Sequence, residues 1–438
     1  MKTIILSIIF INSVYSQGTW SQLESPTDKF LKSLSFVDSL YGWVVGNSGV
    51  IINTTDGGNN WLFQQSNLDY DIEDVFFLNR NLGWAVAWKS DAPPFGTYIL
   101  NTTNGGLTWE SSAYRDENIF IQCVLFQDSL TGWMGGDPHA LVKTTDGGIT
   151  WKQAEIDTVN LAFFPVFSIT FLDDSVGYAA GGIMDAAGVV WKTTNGGDKW
   201  FPIDPAYAPP DPIHKVHIFD SQNVIGVGGD PEYFGVGILT STNGGLVWDY
   251  TELGIQGVAF DLDFRTGYEA WSPLGPARGF IYSLDSGSTW IHIPTPDSAA
   301  IYNLTFPDSL HGYAIGENGV ILRYKPSIVN VVNTIVSTVP DNFMLYQNYP
   351  NPFNPATKIK FRIPLCPPLK KGESEAEVFV TLKVYDILGK EVAAPVNDEL
   401  AAGEYEITFD AKSLPSGIYF YRLRAGELMQ TRKMLIIR

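Results

Sequence analysis

An eight-residue phrase returns six times along this chain. "TTDGGNNW" ends at Trp61, "TTNGGLTW" at Trp109, "TTDGGITW" at Trp151, "TTNGGDKW" at Trp200, "STNGGLVW" at Trp248, and a looser "SLDSGSTW" at Trp290. Its acidic or amide residue is Asp56, Asn104, Asp146, Asn195, Asn243 and Asp285, in steps of 48, 42, 49, 48 and 42. A period in the mid-forties with strand-like filler predicts a β-propeller, one four-stranded sheet per repeat.

A second phrase counts the blades. A strand ending in Phe leads through a turn to Gly-aromatic: Gly42-Trp43, Gly83-Trp84, Gly132-Trp133, Gly177-Tyr178, then Gly226, Gly267-Tyr268 and Gly312-Tyr313. That makes seven copies against six boxes. The seventh repeat stops at Lys325, where its box and last strand should follow. "GTWSQL", Gly18 to Leu23, reads like the strand after each box and is expected to close the seventh blade, leaving no unpaired sheet edge.

The chain is 438 residues long with a formal net charge of −19. That acidity argues against a nucleic-acid partner, because no basic patch exists to neutralise phosphates. Residues 1–16, with one Lys and an apolar run from Ile4 to Ile11, read as a secretory signal peptide cut between Ser16 and Gln17. The propeller is expected over 17–325, a linker over 326–342 and a second module over 343–438. In that module, alternating apolar residues indicate about seven half-buried strands, hence a small immunoglobulin-like sandwich. The expected fold class is all-β. Cys123 reads as a buried thiol, and Cys366 as an unrelated one in a Pro-rich insert.

The last module resembles the type A sorting domain of the type IX secretion system. The likeness rests on Tyr349 to Pro355 ("YPNPFNP"), the "VYDILGKEV" strand and Gly417 to Tyr421 ("GIYFY"). It implies Sec export, then passage across the outer membrane by the type IX machinery, to release or surface attachment. The propeller resembles photosystem II stability/assembly-factor propellers and the wider Asp-box (BNR) group, which includes sialidases and xyloglucanases. That resemblance implies the fold and little of the function, since unrelated activities share it. The secretion signal and the few Arg argue against a photosystem role here.

The box invites a catalytic reading, yet Asn fills three of its six positions, which no general acid or nucleophile survives. Turn hydrogen bonding serves both residue types, and the box Trp is expected to pack between sheets. "FRIP" at Phe361–Pro364 resembles a sialidase arginine motif but lies in the sorting module. There is no zinc-type His pair, nucleophile elbow or phosphate loop, so no catalytic residue, metal site or cofactor is expected. The loops between second and third strands, and between blades, share the face opposite the boxes. They carry Asp91, Asp137, His139, Asp185, Asp230, Glu232, Tyr233 and Arg278, expected around one channel mouth. "GGDP" occurs twice there, ending at Pro138 and Pro231. Such a cluster suits a polyhydroxy ligand or a divalent cation, with the Asp204–Pro212 loop as the next place to look. The expected protein is an exported monomer, secreted or at the outer surface, that binds an extracellular glycan or protein. The alternative is a xyloglucanase-like glycoside hydrolase.

Overall fold

Seven small antiparallel sheets follow one another along residues Trp20–Lys325, which form one compact unit; Pro326–Arg438 belong to another. The structure is a computed structural model describing residues 18–138, 140–157, 164–232, 235–326, 340, 342–364, 378–387, 389, 391–400, 402–411, 414–426 and 428–437. Ser16, Gln17, His139, Tyr233, Cys366 and nearly all of the linker lie outside these residues.

Blade 1 is built from Leu31–Phe36, Gly42–Gly46, Ile51–Thr54 and Leu62–Gln64. Blade 2 is Asp71–Phe77, Gly83–Lys89, Gly96–Thr102 and Glu110–Ala113. Blade 3 is Phe120–Phe126, Gly132–Asp137, Ala140–Thr144 and Lys152–Gln153. Blade 4 is Val166–Phe171, Gly177–Ile183, Ala187–Thr193 and Lys199–Pro202, with Glu155–Ile156 added in parallel on its outer edge. Blade 5 is Ile213–Ile218, Val224–Asp230, Gly235–Ser241 and Asp249–Glu252. Blade 6 is Asp263–Phe264, Ala270–Pro273, Gly279–Ser283 and Ile291–Pro294. Blade 7 takes Ile301–Thr305, Gly312–Gly316 and Ile321–Lys325, and its outer strand is Thr19–Gln22 from the other end of the chain.

The closing strand is held by side chains as well as backbone. The Leu23 N–H donates to the Ile321 carbonyl at 2.8 Å. Trp20 lies against Trp271, Phe280, Phe306 and Tyr324, with ring centroids 5.1–5.8 Å apart. It fills the place that a box Trp holds in the other blades.

The aromatic phrases form the seams between blades. Trp43 of blade 1 stacks on Phe77 of blade 2 at 3.6 Å, and Phe77 meets the box Trp109 edge-on at 5.7 Å. Trp84, Phe126 and Trp151 repeat the arrangement across the next seam. The Trp43 indole N–H also donates to the Gly105 carbonyl in the next blade's box, as Trp84 does to Gly147 and Trp133 to Gly196. The Tyr178 and Tyr313 hydroxyls do the same to Gly244 and Gly57, the latter sealing blade 7 to blade 1. The Gly before each of these rings sits directly opposite the Phe: a Cβ on Gly42 would fall 2.4 Å from the Phe36 ring.

Two positions in the second phrase differ from the sequence expectation. Register places Val224-Ile225, not Gly226, at the blade 5 position, since Val224 pairs with Ile218 and Ser241. Ile218 replaces the Phe there, so no glycine is demanded. Ile225 packs against Gly287 of the next box but has no donor for its carbonyl, and a cavity of about 530 Å³ opens along that seam beside Ile225, Gly287 and Trp290. In blade 6, Ala270-Trp271 takes the position, not Gly267-Tyr268; Tyr268 is exposed in the preceding turn. The seventh repeat carries no box in its sequence. The Trp271 N–H donates instead to the buried Glu269 carboxylate, which also accepts from Tyr324 and pairs with Arg265.

The C-terminal unit is a sandwich of a three-stranded and a four-stranded antiparallel sheet around one apolar core. Its strands are Met344–Leu345, Ala356–Ile363, Val378–Tyr385, Glu391–Leu400, Gly403–Asp410, Gly417–Ala425 and Leu428–Ile436. The "YPNPFNP" segment is tied to the last strand. The Phe353 N–H donates to the Leu435 carbonyl, the Ile437 N–H to the Phe353 carbonyl, and the Asn351 side chain accepts from the Leu435 N–H. Arg362 of "FRIP" pairs with Glu404 at 2.7 Å across this sheet.

Candidate functional site

Each blade's first strand ends on a four-residue phrase whose last residue is the seam Phe or its substitute: "SLSF", "DVFF", "CVLF", "SITF", "KVHI", "DLDF" and "NLTF". In six of the seven strands a bulge precedes the phrase, as between Leu31 and Ser33 or Ile213 and Lys215. The phrase's first residue therefore takes the same place in every blade. Ser33, Asp74, Cys123, Ser168, Lys215, Asp261 and Asn303 form a ring, one per blade, lining a central cavity of about 700 Å³. Ser35, Thr170, His217, Asp263 and Thr305, two residues further on, line it as well.

In blades 2, 3 and 7, inner-strand N–H groups are answered by ring side chains of the preceding blade. Asp74 accepts from the Ser33 hydroxyl at 2.6 Å and from the Val124 N–H at 2.8 Å, joining blades 1, 2 and 3. Asp261 and Asp263 accept from the Leu304 and Phe306 N–H groups at 3.0 and 2.7 Å. Lys215 stands 3.5 Å from Asp261. The nearby Asp261, Asp74 and Asp263 charges raise the Lys215 pKa against its burial. Burial pushes the Asp263 carboxyl up to about 6 and also raises Asp74. Desolvation lowers His214 and His217 to about 4, so both are neutral near pH 7. The buried Cys123 thiol is pushed far up and stays protonated.

None of the loop residues singled out from sequence lines this cavity, as far as the described residues go. Asp91 is exposed and caps its own turn through the Ala92 N–H. Arg278 is exposed and donates to the Ser298 carbonyl. The two "GGDP" loops are not equivalent: Asp137 of blade 3 is half-buried, while Asp230 of blade 5 is fully buried and accepts from the Glu232 N–H at 2.6 Å. Among the described residues the fold brings together Asp185 and Asp230 with Asp211, a residue of the Asp204–Pro212 loop. Asp91 and Asp137 join no such group. The channel ring was missed because each member was read as one residue of a strand. The signal was there in the residue three places before each seam Phe, polar in six of seven blades.

The box geometry is uniform. In all six, the Asp or Asn Oδ1 accepts from the N–H four residues on, as Asp146 does from Thr150 at 2.8 Å and Asn195 from Lys199 at 3.0 Å. The Thr or Ser two residues earlier donates to that oxygen and accepts from the second box Gly, or in the last box from Gly287. It is this hydroxyl residue that is buried: Thr54, Thr102, Thr144, Thr193, Ser241 and Ser283 are each at most 3% exposed.

Comparison with known proteins agrees with both units. Residues 347–438 match the secretion system C-terminal sorting domain, which marks a chain for type IX export to the cell surface or beyond. Residues 12–115 and 63–204 match the photosynthesis system II assembly factor YCF48 family. The photosystem II stability/assembly factor HCF136 of Guillardia theta is 24% identical over 354 residues, covering 70% of this chain and 82% of that protein. The photosystem II assembly lipoprotein Ycf48 of a Nostoc species is 27% identical over 341 residues, covering 73% and 90%. A solved structure described as YCF48 bound to D1 peptide superposes with a TM-score of 0.57 at 21% identity, over 72% of this chain and 98% of that one. The chain thus joins an Asp-box propeller of the photosystem II assembly-factor-like kind to a secretion system C-terminal sorting domain.

Proposed function

We propose that this protein is a non-catalytic binding module, exported through Sec and then the type IX machinery, whose propeller holds an extracellular protein segment or glycan. The observation that carries the reading is the state of the channel acids. Asp74, Asp261 and Asp263 each accept a backbone N–H from the next blade, and Lys215 faces them. Carboxylates committed to holding blades together are poorly placed to act as the acid and base that glycoside hydrolysis requires. The cavity they line is polar, of both charge signs and large enough for a few side chains or sugar units. A peptide is the better-supported partner, because a propeller of this fold has been solved with a peptide bound.

The test is a screen of the purified full-length chain against polysaccharides and surface proteins, scored for binding, reducing-sugar release and new protein termini. Binding with no product supports the reading. Release of reducing sugar from any bound glycan would replace it with the xyloglucanase-like alternative.

A further inference from the structure

Three carboxylates from separate stretches of chain meet where blades 4 and 5 adjoin, outside the central cavity. Asp185 comes from the hairpin between the second and third strands of blade 4. Asp211 comes from the loop joining blade 4 to blade 5, and Asp230 from the end of blade 5's second strand. One oxygen from each lies within 4.8 Å of the other two. Asp211 and Asp230 are 1% exposed.

An acidic cluster alone proves little, but Asp211 adds a separate fact. One of its oxygens accepts the Asp185 N–H, while its buried Oδ2 finds no hydrogen-bond partner among the described residues. The charges that act most on it, from Asp230, Asp185 and Glu252, are all negative. The Tyr250 hydroxyl, close enough to feel the same charges, is likewise buried without a partner. A buried carboxylate oxygen with neither donor nor cation is costly, and a bound metal ion removes that cost.

We propose that Asp185, Asp211 and Asp230 form a site for a hard divalent cation of the size of Ca²⁺. The donor set is all oxygen, with no His or Cys, which suits Ca²⁺ rather than zinc. Three aspartates offer three to six of the six to eight oxygens that Ca²⁺ takes. The ion ties the hairpin of one blade to the next blade, so its binding stabilises the propeller. An extracellular protein meets Ca²⁺ at the concentrations that weak sites of this kind need. The site is independent of whatever the central channel binds.

The experiment is calorimetric titration of the full-length chain, stripped with EDTA, with CaCl₂ alone, beside melting curves in CaCl₂, MgCl₂ and EDTA. One site with Kd of about 0.1–1 mM is expected, with a melting temperature raised by CaCl₂ and much less by MgCl₂. Asp211→Asn is expected to weaken binding more than about tenfold and to remove the CaCl₂ increment. Asp185→Asn, on an exposed hairpin, is expected to do the same and decides the matter if Asp211→Asn does not fold. No heat and no melting shift in the parent chain up to about 10 mM CaCl₂, well above such Kd values, would overturn the proposal. So would undiminished binding in a folded Asp185→Asn, and an equal response to MgCl₂ would overturn the choice of Ca²⁺.

Discussion

The box shows how a charged residue becomes interchangeable with a neutral one. What its Oδ1 does, accepting one hydroxyl and one N–H, Asp and Asn do alike. The remaining atom adapts to position +4: the Asp285 Oδ2 accepts from the Thr289 hydroxyl, whereas the Asn104 Nδ2 donates to the Thr108 hydroxyl. The buried partner is the less conspicuous Thr. Thr144→Val leaves the Gly148 N–H without its acceptor and is expected to cost about 1–3 kcal/mol. Asp146→Asn, which keeps the accepting Oδ1, is expected to lower the melting temperature far less than Thr144→Val. Paired melting curves check this, and equal losses for both substitutions would show that the charge itself is required. The sequence made the Asp legible because it is conspicuous. It hid the Thr, because a threonine two residues upstream looks like any strand end until its side chain is seen folded over the turn.

At the scale of elements, the strand Thr19–Gln22 and the three that end the propeller make one sheet. Blade count and closure were readable because a missing box at Lys325 and a spare "GTW" at Gly18 are complementary gaps in one pattern. Two of the seven phrases were misplaced for a physical reason. A Gly-aromatic pair is diagnostic only where a Phe lies across from the Gly; in blade 5 Ile218 replaces the Phe, and in blade 6 Ala270 replaces the Gly across from Phe264. Deleting Gly18–Leu23 removes Trp20 from contact with four aromatic rings and exposes the Ile321–Lys325 edge. The expected outcome is aggregation or a melting temperature far below that of any single-loop deletion. A deletion variant that remains monomeric and as stable as the parent would remove the closure from the account of how this ring holds together.

For the whole propeller, two sets of carboxylates oppose each other in their response to pH. On the box face, hydrogen bonds from the Asn60 and Thr150 side chains lead in lowering Asp56 and Asp146; for Asp285 burial is the largest influence, but hydrogen bonds from Thr289, Ser283 and Ser288 together outweigh it and lower the carboxyl. Groups with depressed pKa contribute stability that is present above the ordinary value of 3.8 and lost as pH falls through the folded value. In the channel the sign reverses. Burial raises Asp74 and Asp263, so the folded state binds protons more tightly than the unfolded chain, and stability declines as pH rises from 3.8 toward the folded value. For Asp263 that window closes at about 6. Its rise from 3.8 to about 6 corresponds to roughly 3 kcal/mol over the window. The lowered His214 and His217 act in the opposite sense, losing stability as pH falls from 6.5 toward 4, so the Asp263 contribution is read as a difference between parent and variant. Asp263→Asn keeps an oxygen for the Phe306 N–H and removes the titrating group. The melting temperature of the parent minus that of the variant is expected to fall as pH rises from 4 to 6. Parallel curves would mean that Lys215 already neutralises Asp263 in full, and that the channel carries its negative charge without penalty.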